Sequence, residues 1–347
     1  VNTSPLNFKP VGTGPFKFLE WKSGEYVRVA RNDDFYFGRP KLAGVIFKVI
    51  PDENTRLVAL ETGEIDETNI PPKDYKRMKS VKGLKMFEYD ALTYTYLGFN
   101  LKSPIFRDAR TRHALAFATN KEELVQKIYR GLASAAYAPS APASWAYSQD
   151  VEKYPHNPSK AKELLEAAGW RMADDGYYAR DGKRLEFTIL TNQGNKEREK
   201  GAIVLQSQFK KVGVKANIRI MEWSALLKII NAPKDPKDFE AVIIGWSLGV
   251  DPDDYSIWHS TQYPRGFNFI AYQNSEVDQW IEDGRTTMDK NRRKKIYARV
   301  YRQISEDQPY IFLWYPKSIV AVRERVGGLS QPGPAGLMVY MEKVFVR

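Results

Sequence analysis

The spacing of apolar positions changes several times along the chain, and each change predicts an element. "GPFKFLEWKSGEYVRVARN" alternates apolar and polar residues on both sides of Ser23–Gly24, which predicts a hairpin. "GVIFKVIP" (44–51) is short and nearly continuously apolar, which predicts a strand. From Asp52 the period lengthens. Leu57, Ala59 and Leu60 lie toward one side of a helix that Asp52 or Asn54 can cap and Gly63 can stop. "LKMFEYDALTYTYLGFN" then returns to strand, rich in Tyr and Phe.

After "SPIF" the pattern turns helical. "RDARTRHALAFATNKEELVQKIY" predicts two helices, with a break at Thr119–Asn120 and a fresh acidic start at Glu122 and Glu123. The Ala/Ser/Pro-rich "GLASAAYAPSAPASWAYSQ" predicts a long irregular loop. In "NPSKAKELLEAAGW", Ala161, Leu164, Leu165 and Ala168 form an apolar stripe, Ser159 is the expected cap and Gly169 the stop.

The most regular stretch follows. "LEFTILTN" (185–192), "VKANIRIM" and "FEAVIIGW" (239–246) read as strands, separated by the helical "EKGAIVLQSQFKKVG" and "WSALLKIIN". Ala202, Leu205, Phe209 and Val212 share one face of the first helix, which Gly213 ends. Strand–helix–strand–helix–strand implies right-handed crossovers and a parallel sheet. Ligands of such sheets bind outside the carboxyl ends of the strands, here residues 221–223 and 245–247. Two helices, "SEVDQWIEDGR" and 291–307, and an aromatic strand, "PYIFLWYPKSIVAVR", complete the pattern before a turn-rich tail.

Composition removes several chemistries. The 347 residues include no cysteine, which excludes disulfides, thiolate metal sites and a Cys nucleophile. The net charge of +11 is spread along the chain. Its densest cluster, "KNRRKKIYARVYR", falls on a stretch where Ile296, Val300 and Ile304 recur at helical spacing, so the charges form a solvated helix face. There is no zinc-finger spacing, RNA-binding motif or phosphate loop, and no nucleic-acid partner is expected. Apolar runs fall short of the roughly 20 residues a membrane helix needs.

"GWSLGVDPDDYSIWHS" (245–260) concentrates rings, acids and a histidine directly after a strand. Counting from Asp251, Ser256 and Gln262 stand where a calcium loop needs Gly and Glu, so the acids read as turn and cap residues. His113, His156 and His259 belong to no catalytic motif; His259, near Asp251–Asp254, is read as structural. "GTG" at 12–14 lacks the third glycine of a dinucleotide loop and reads as a turn.

Several blocks together resemble a known family. "PVGTGPFKFLEWKSGEYVRVARNDDFYFGRPKLAGVIFKVIPDENTRLVALETGEID" resembles the middle section of the family 5 extracellular solute-binding proteins, the oligopeptide, dipeptide and nickel receptors of ABC importers. "YTYLGFNLKSPIFRDARTRHALAFATNKEELV", "KAKELLEAAGW" and "GWSLGVDPDDYSIWHSTQYPRGFNFIAYQNSEVDQWIEDGRTT" continue the likeness, the last toward Gram-positive oligopeptide receptors. The resemblance implies an α/β fold of periplasmic-binding-protein-like (type II) lobes with mixed or parallel sheets, closing as a Venus flytrap. It implies a C-terminal fragment lacking the N-terminal part of domain I and all of domain II. Residues 1–105 plus 316–347 would be the later part of the discontinuous domain I, and 106–315 domain III.

The implied function is capture of an oligopeptide in an inter-lobe cleft for delivery to an ABC importer permease. The location would be extracytoplasmic, with membrane attachment only through a lipid anchor upstream; no cofactor, metal or catalysis is implied. By motif, Trp246, Ser247, Leu248 and Gly249 would face the ligand, with Trp223, Tyr96 and Tyr315 lining the cleft. Peptide receptors of this kind often carry an amine-binding Asp three residues after the Trp; Gly249 stands there, and Asp251 follows two residues on. An oligosaccharide receptor of the same family, and across classes a carbohydrate- or peptide-cleaving hydrolase, are the alternatives.

Overall fold

The computed structural model describes residues 4–347. The chain forms two compact units, one comprising residues up to Tyr89 together with Lys317–Arg347, the other Asp90–Pro316.

In the smaller unit, β1 (Phe16–Lys22) and β2 (Tyr26–Arg31) form the expected hairpin. Gly24 makes the turn at φ 77°, a left-handed conformation open to glycine. β3 (Gly44–Lys48) adds antiparallel to β2. It is the strand its apolar run predicts, and it lies at the sheet edge, with Ile46 and Phe47 57% and 56% exposed. An apolar run looks the same whether or not something covers it. α1 (Glu53–Thr62) behaves as read. The Asp52 carboxylate accepts from Thr55 N at 2.8 Å, Leu57, Ala59 and Leu60 are buried, and Gly63 ends the helix at φ 84°. β4 (Glu67–Asn69), α2 (Tyr75–Lys79) and β5 (Leu84–Asp90) follow.

The larger unit opens with β6 (Thr93–Phe99), α3 (Ala109–Ala118) and α4 (Lys121–Leu124), which runs into a π-helical turn (Val125–Tyr129). β7 (Ala133–Ala135), the irregular loop and α5 (Pro158–Ala167) come next. Asn157, not Ser159, caps α5, accepting from Lys160 N at 3.0 Å. Pro158 lacks an N–H and has its φ preset, so it takes the first helical position and the cap moves ahead of it. Short strands β8 (Arg171–Met172), β9 (Tyr178–Arg180) and β10 (Lys183–Arg184) form a small antiparallel sheet.

The predicted alternation then appears: β11 (Glu186–Asn192), α6 (Lys196–Lys211), β12 (Lys215–Met221), α7 (Trp223–Ile230) and β13 (Ala241–Ser247). β11 pairs in parallel with both β12 and β13. α8 (Tyr255–Trp258), α9 (Ser275–Thr286) and α10 (Lys290–Asp307) lead to β14 (Tyr310–Arg323). The first half of β14 pairs with β6 and β7 in this unit; its second half pairs with β4 in the smaller unit, which β15 (Val326–Gly327) and β16 (Phe345–Val346) close.

The sheet of the larger unit therefore runs β12–β11–β13–β6–β14 and is mixed, because β6 lies antiparallel between β13 and β14. One face carries Leu97, Phe187, Ile189, Leu205, Phe209 and Ile243, the other Tyr94, Tyr96, Leu226, Val242, Ile244 and Tyr301. These two cores explain the alternation along β6 and β13. The larger compact unit, Asp90–Pro316, includes β6, which pairs along its length with β13.

Candidate functional site

The strand order β12–β11–β13 reverses direction at β11: the chain moves from β11 to one neighbour, then returns to the other side. α6 packs on one face of the sheet and α7 on the other, as that reversal requires. The crevice at such a switch point lies between the carboxyl ends of the two strands that diverge, here β11 and β13.

The register makes the crevice specific. Pairing of β11 with β13 ends at Thr191↔Ile243, while β13 continues on β6 through Ser247↔Thr93. Residues 244–247 thus keep one strand partner and leave the other backbone edge open to the crevice. Leu248 N donates to Leu92 O at 2.7 Å, which holds the next residue in line. An open edge of this kind can add an extended ligand as an extra strand.

Across the gap stands Arg198, in the first turn of α6 behind the Asn195 cap. Its Nη1 donates to Asn192 Oδ1 at 2.9 Å, and its buried Nε has no hydrogen-bond partner. A Cβ placed on Gly245 would lie 3.1 Å from Nη2 and 2.7 Å from Tyr94 O, so only glycine lets the guanidinium and the β6 backbone approach here. Arg198 forms no ion pair with a carboxylate among the described residues. Burial pulls its guanidinium below the ordinary value, with Tyr96, Tyr129 and Glu197 acting in the opposite direction.

On the opposite face of β13, Trp246 is half-buried against Phe267 and Phe269, at ring distances of 5.5 and 6.1 Å, and its Nε1 has no partner. Trp223, 43% exposed, opens α7 just beyond the end of β12. Gly249 has open space: the nearest atom to a Cβ there is Asp251 O at 3.6 Å.

Two of the acids after β13 are engaged in ion pairs, while Asp254 keeps a buried Oδ2 with no hydrogen-bond partner. Asp251 accepts two hydrogen bonds from Arg293, at 2.6 and 2.7 Å, and these hold its carboxyl below the usual range. Asp253 pairs with Arg285 at 3.0 Å and accepts from Tyr255 N. Asp254 is buried, which together with the charges of Asp253 and Asp251 holds its carboxyl well above the usual range. Glu222 caps α7 through Ala225 N, and its backbone donors lower its carboxyl. His259 is buried, with Nδ1 2.8 Å from Thr261 Oγ1 and its ring on Tyr255. The segment from Asp251 to Ser260 is therefore the turn and helix start that its acids suggested.

Trp246, Ser247, Leu248, Gly249 and Trp223 stand at the carboxyl ends of β13 and β12. Three expected site residues do not face the crevice freely. Tyr96 is fully buried, its ring stacked on Tyr310 at 3.7 Å. Tyr315 is buried and its hydroxyl donates to Ala138 O at 2.8 Å. Asp251 is committed to Arg293. Arg198 and Asn192 were not anticipated: Arg198 sits in "NKEREK", where sequence does not show which cation folds inward. Its place directly behind a helix cap and a strand end was the available signal.

The sequence pattern of bacterial extracellular solute-binding proteins, family 5 Middle, matches residues 1–268. The oligopeptide-binding protein AppA of Bacillus subtilis is 43% identical over 323 residues, 92% of this chain and 59% of that protein. The solved structure of AppA from Bacillus subtilis in complex with a nonapeptide matches with a TM-score of 0.87 at 41% identity, covering 98% of this chain and 67% of that one. NikZ from Campylobacter jejuni, solved in complex with Ni(L-His), matches with a TM-score of 0.89 at 30% identity, covering 99% of this chain and 70% of that one. The chain spans about three fifths of the length of the curated relatives it matches.

Proposed function

The chain belongs to the bacterial extracellular solute-binding proteins of family 5, and from that premise we propose that it captures peptides for an ABC importer. One observation carries the reading: the unpaired backbone edge of residues 244–247, at the switch point between β11 and β13. A peptide lying along that edge would gain hydrogen bonds from backbone alone, which gives affinity without demanding a sequence. Trp246 and Trp223 would offer ring faces to its side chains, with Ser247, Leu248 and Gly249 continuing the edge. AppA of Bacillus subtilis, solved with a nonapeptide, supports peptide as the ligand class.

In this proposal the unit of residues 90–316 corresponds to domain III, and the other unit to the later part of domain I. The protein works outside the cytoplasm and hands its ligand to a permease. It binds and releases without chemistry.

Calorimetric titration with a mixed pool of peptides and, separately, a pool of oligosaccharides tests the reading. Saturable binding of peptides, recovered intact, is expected. Saturation by sugars alone, or cleavage of bound peptide, would refute it.

A further inference from the structure

Most of the cations on α10 have no acidic partner. Residues 290–305 contain no Asp or Glu. Arg293 is committed to Asp251, and Arg302 to Glu306 and Asp150. Lys290, Arg292, Lys294, Lys295 and Arg299 are exposed and form no ion pair with a carboxylate among the described residues. At about 100° of turn per residue, Arg292, Lys295 and Arg299 fall opposite the buried Tyr297, Val300, Tyr301 and Ile304, with Lys290 and Lys294 on one flank. The acids nearest the helix start are used elsewhere. Asp289 caps α10, accepting from Arg292 N at 2.7 Å. On α9, Glu282 lies 3.3 Å from His259 Nε2, and Asp283 accepts from Gln279.

Just before these cations, Met288 is 95% exposed, the most exposed large apolar side chain among the described residues. A single exposed apolar residue is ordinary, and so is a basic helix face. Their coincidence is not. A flexible, unbranched thioether at the tip, ringed by unpaired cations, suits a fluid surface of anionic headgroups. Such a surface asks for charge and an apolar layer but for no fixed shape. Arg293 ties the same helix start to Asp251, just beyond β13, so the tip stands beside the mouth of the crevice.

We propose that Met288, Lys290, Arg292, Lys294, Lys295 and Arg299 form a docking face for an anionic lipid bilayer, with Met288 entering the headgroup layer. Docked in this way, the protein keeps the end of β13 close to the membrane. The inference does not depend on the captured ligand being a peptide.

Co-sedimentation of the whole 347-residue chain with vesicles tests it. The vesicles are phosphatidylcholine alone, or an equal mixture with phosphatidylglycerol. Binding to the mixed vesicles, absent on phosphatidylcholine and lost at about 0.5 M salt, is expected. Each cation removed should weaken it about fivefold, so Lys294→Gln, Lys295→Gln and Arg299→Gln together should weaken it about a hundredfold. Lys200, Lys210 and Lys211 are exposed on α6, and changing all three to Gln alters the net charge equally. That variant should stay within about threefold of the native chain, because screening keeps the attraction local. Met288→Ser should weaken binding about threefold or more without changing its salt dependence.

No preference for the anionic vesicles, or an equal loss from the α6 variant, overturns the inference. So does equally tight binding to soluble polyglutamate that ignores Met288→Ser, which would mark an unspecific charged patch. If vesicle binding holds and peptide titration fails, only the peptide reading falls. Should the triple α10 variant not fold, the lipid preference of the native chain and its loss in Met288→Ser still decide.

Discussion

Asp251 and Arg293 are joined by two hydrogen bonds, Nη1 to Oδ2 at 2.6 Å and Nη2 to Oδ1 at 2.7 Å. The same guanidinium donates Nε to Gly284 O at 2.7 Å and lies 5.8 Å from the Trp145 ring. One side chain on α10 thus ties down the segment after β13, the end of α9 and the long loop.

A double-mutant cycle with Asp251→Asn and Arg293→Gln should give a coupling of about 1 kcal/mol in urea unfolding. That is the upper end for a surface pair, discounted because the carboxylate is 58% exposed. The folded Asp251 carboxyl titrates below its unfolded value, so this contribution is present above about pH 4 and fades as pH falls through the lower folded value. A coupling near zero at neutral pH would show that the pair only decorates the surface.

Lys121 carries a second pH dependence of the same sign, at higher pH. It is buried in α4, its Nζ donates to Ala136 O at 2.8 Å, and it lies 4.2 Å from the Tyr137 ring centre. Burial pulls its ammonium down to about 7. The unfolded side chain titrates near 10.4, so between these values the unfolded state binds the extra proton. Stability from this group should therefore rise with pH from about 7 to about 10, by at most about 1.4 kcal/mol per unit. Lys121→Met should remove that rise. Parallel unfolding free energies for the two proteins from pH 7 to 9 would contradict it.

Tyr315→Phe separates structure from binding. The hydroxyl donates to Ala138 O at 2.8 Å and accepts from Ala138 N at 3.2 Å, clamping the strand-to-loop junction after β7. Its loss should cost about 1–2 kcal/mol of stability through unpaired buried backbone groups. Peptide affinity should stay within about twofold. A tenfold loss of affinity with little change in melting would return Tyr315 to the ligand site.

How far these features were legible in the sequence depends on whether they are local. Asp52, Leu57, Leu60 and Gly63 define α1 within one segment, and the periods of 185–246 define β11 through β13. Strand order is a long-range choice, and it decides which ends lie together. "YTYLGFN" reads as strand, but only pairing with β13 places β6 in the larger unit. Tyr96 and Trp223 are both aromatic residues near strand ends, yet one is wholly buried and the other 43% exposed. Ring content does not say which. Arg198 was hidden for the same reason: its partner across the crevice, Gly245, lies 47 residues away by subtraction of their numbers (245 − 198).

The two glycines flanking Trp246 make opposite demands. At Gly245 a methyl group would meet Tyr94 O at 2.7 Å and Arg198 Nη2 at 3.1 Å. The backbone oxygen cannot retreat without breaking the β13–β6 ladder, and the guanidinium would be pushed from Asn192. Gly245→Ala should therefore cost about 1–3 kcal/mol, typical of overpacking, and weaken peptide binding as well. At Gly249 the nearest atom stands at 3.6 Å, ordinary contact, so Gly249→Ala should alter stability by less than about 0.5 kcal/mol. Paired melting and peptide titration of the two variants check this. If Gly249→Ala proves the more damaging, the close approach at Gly245 is not what holds Arg198 at the crevice.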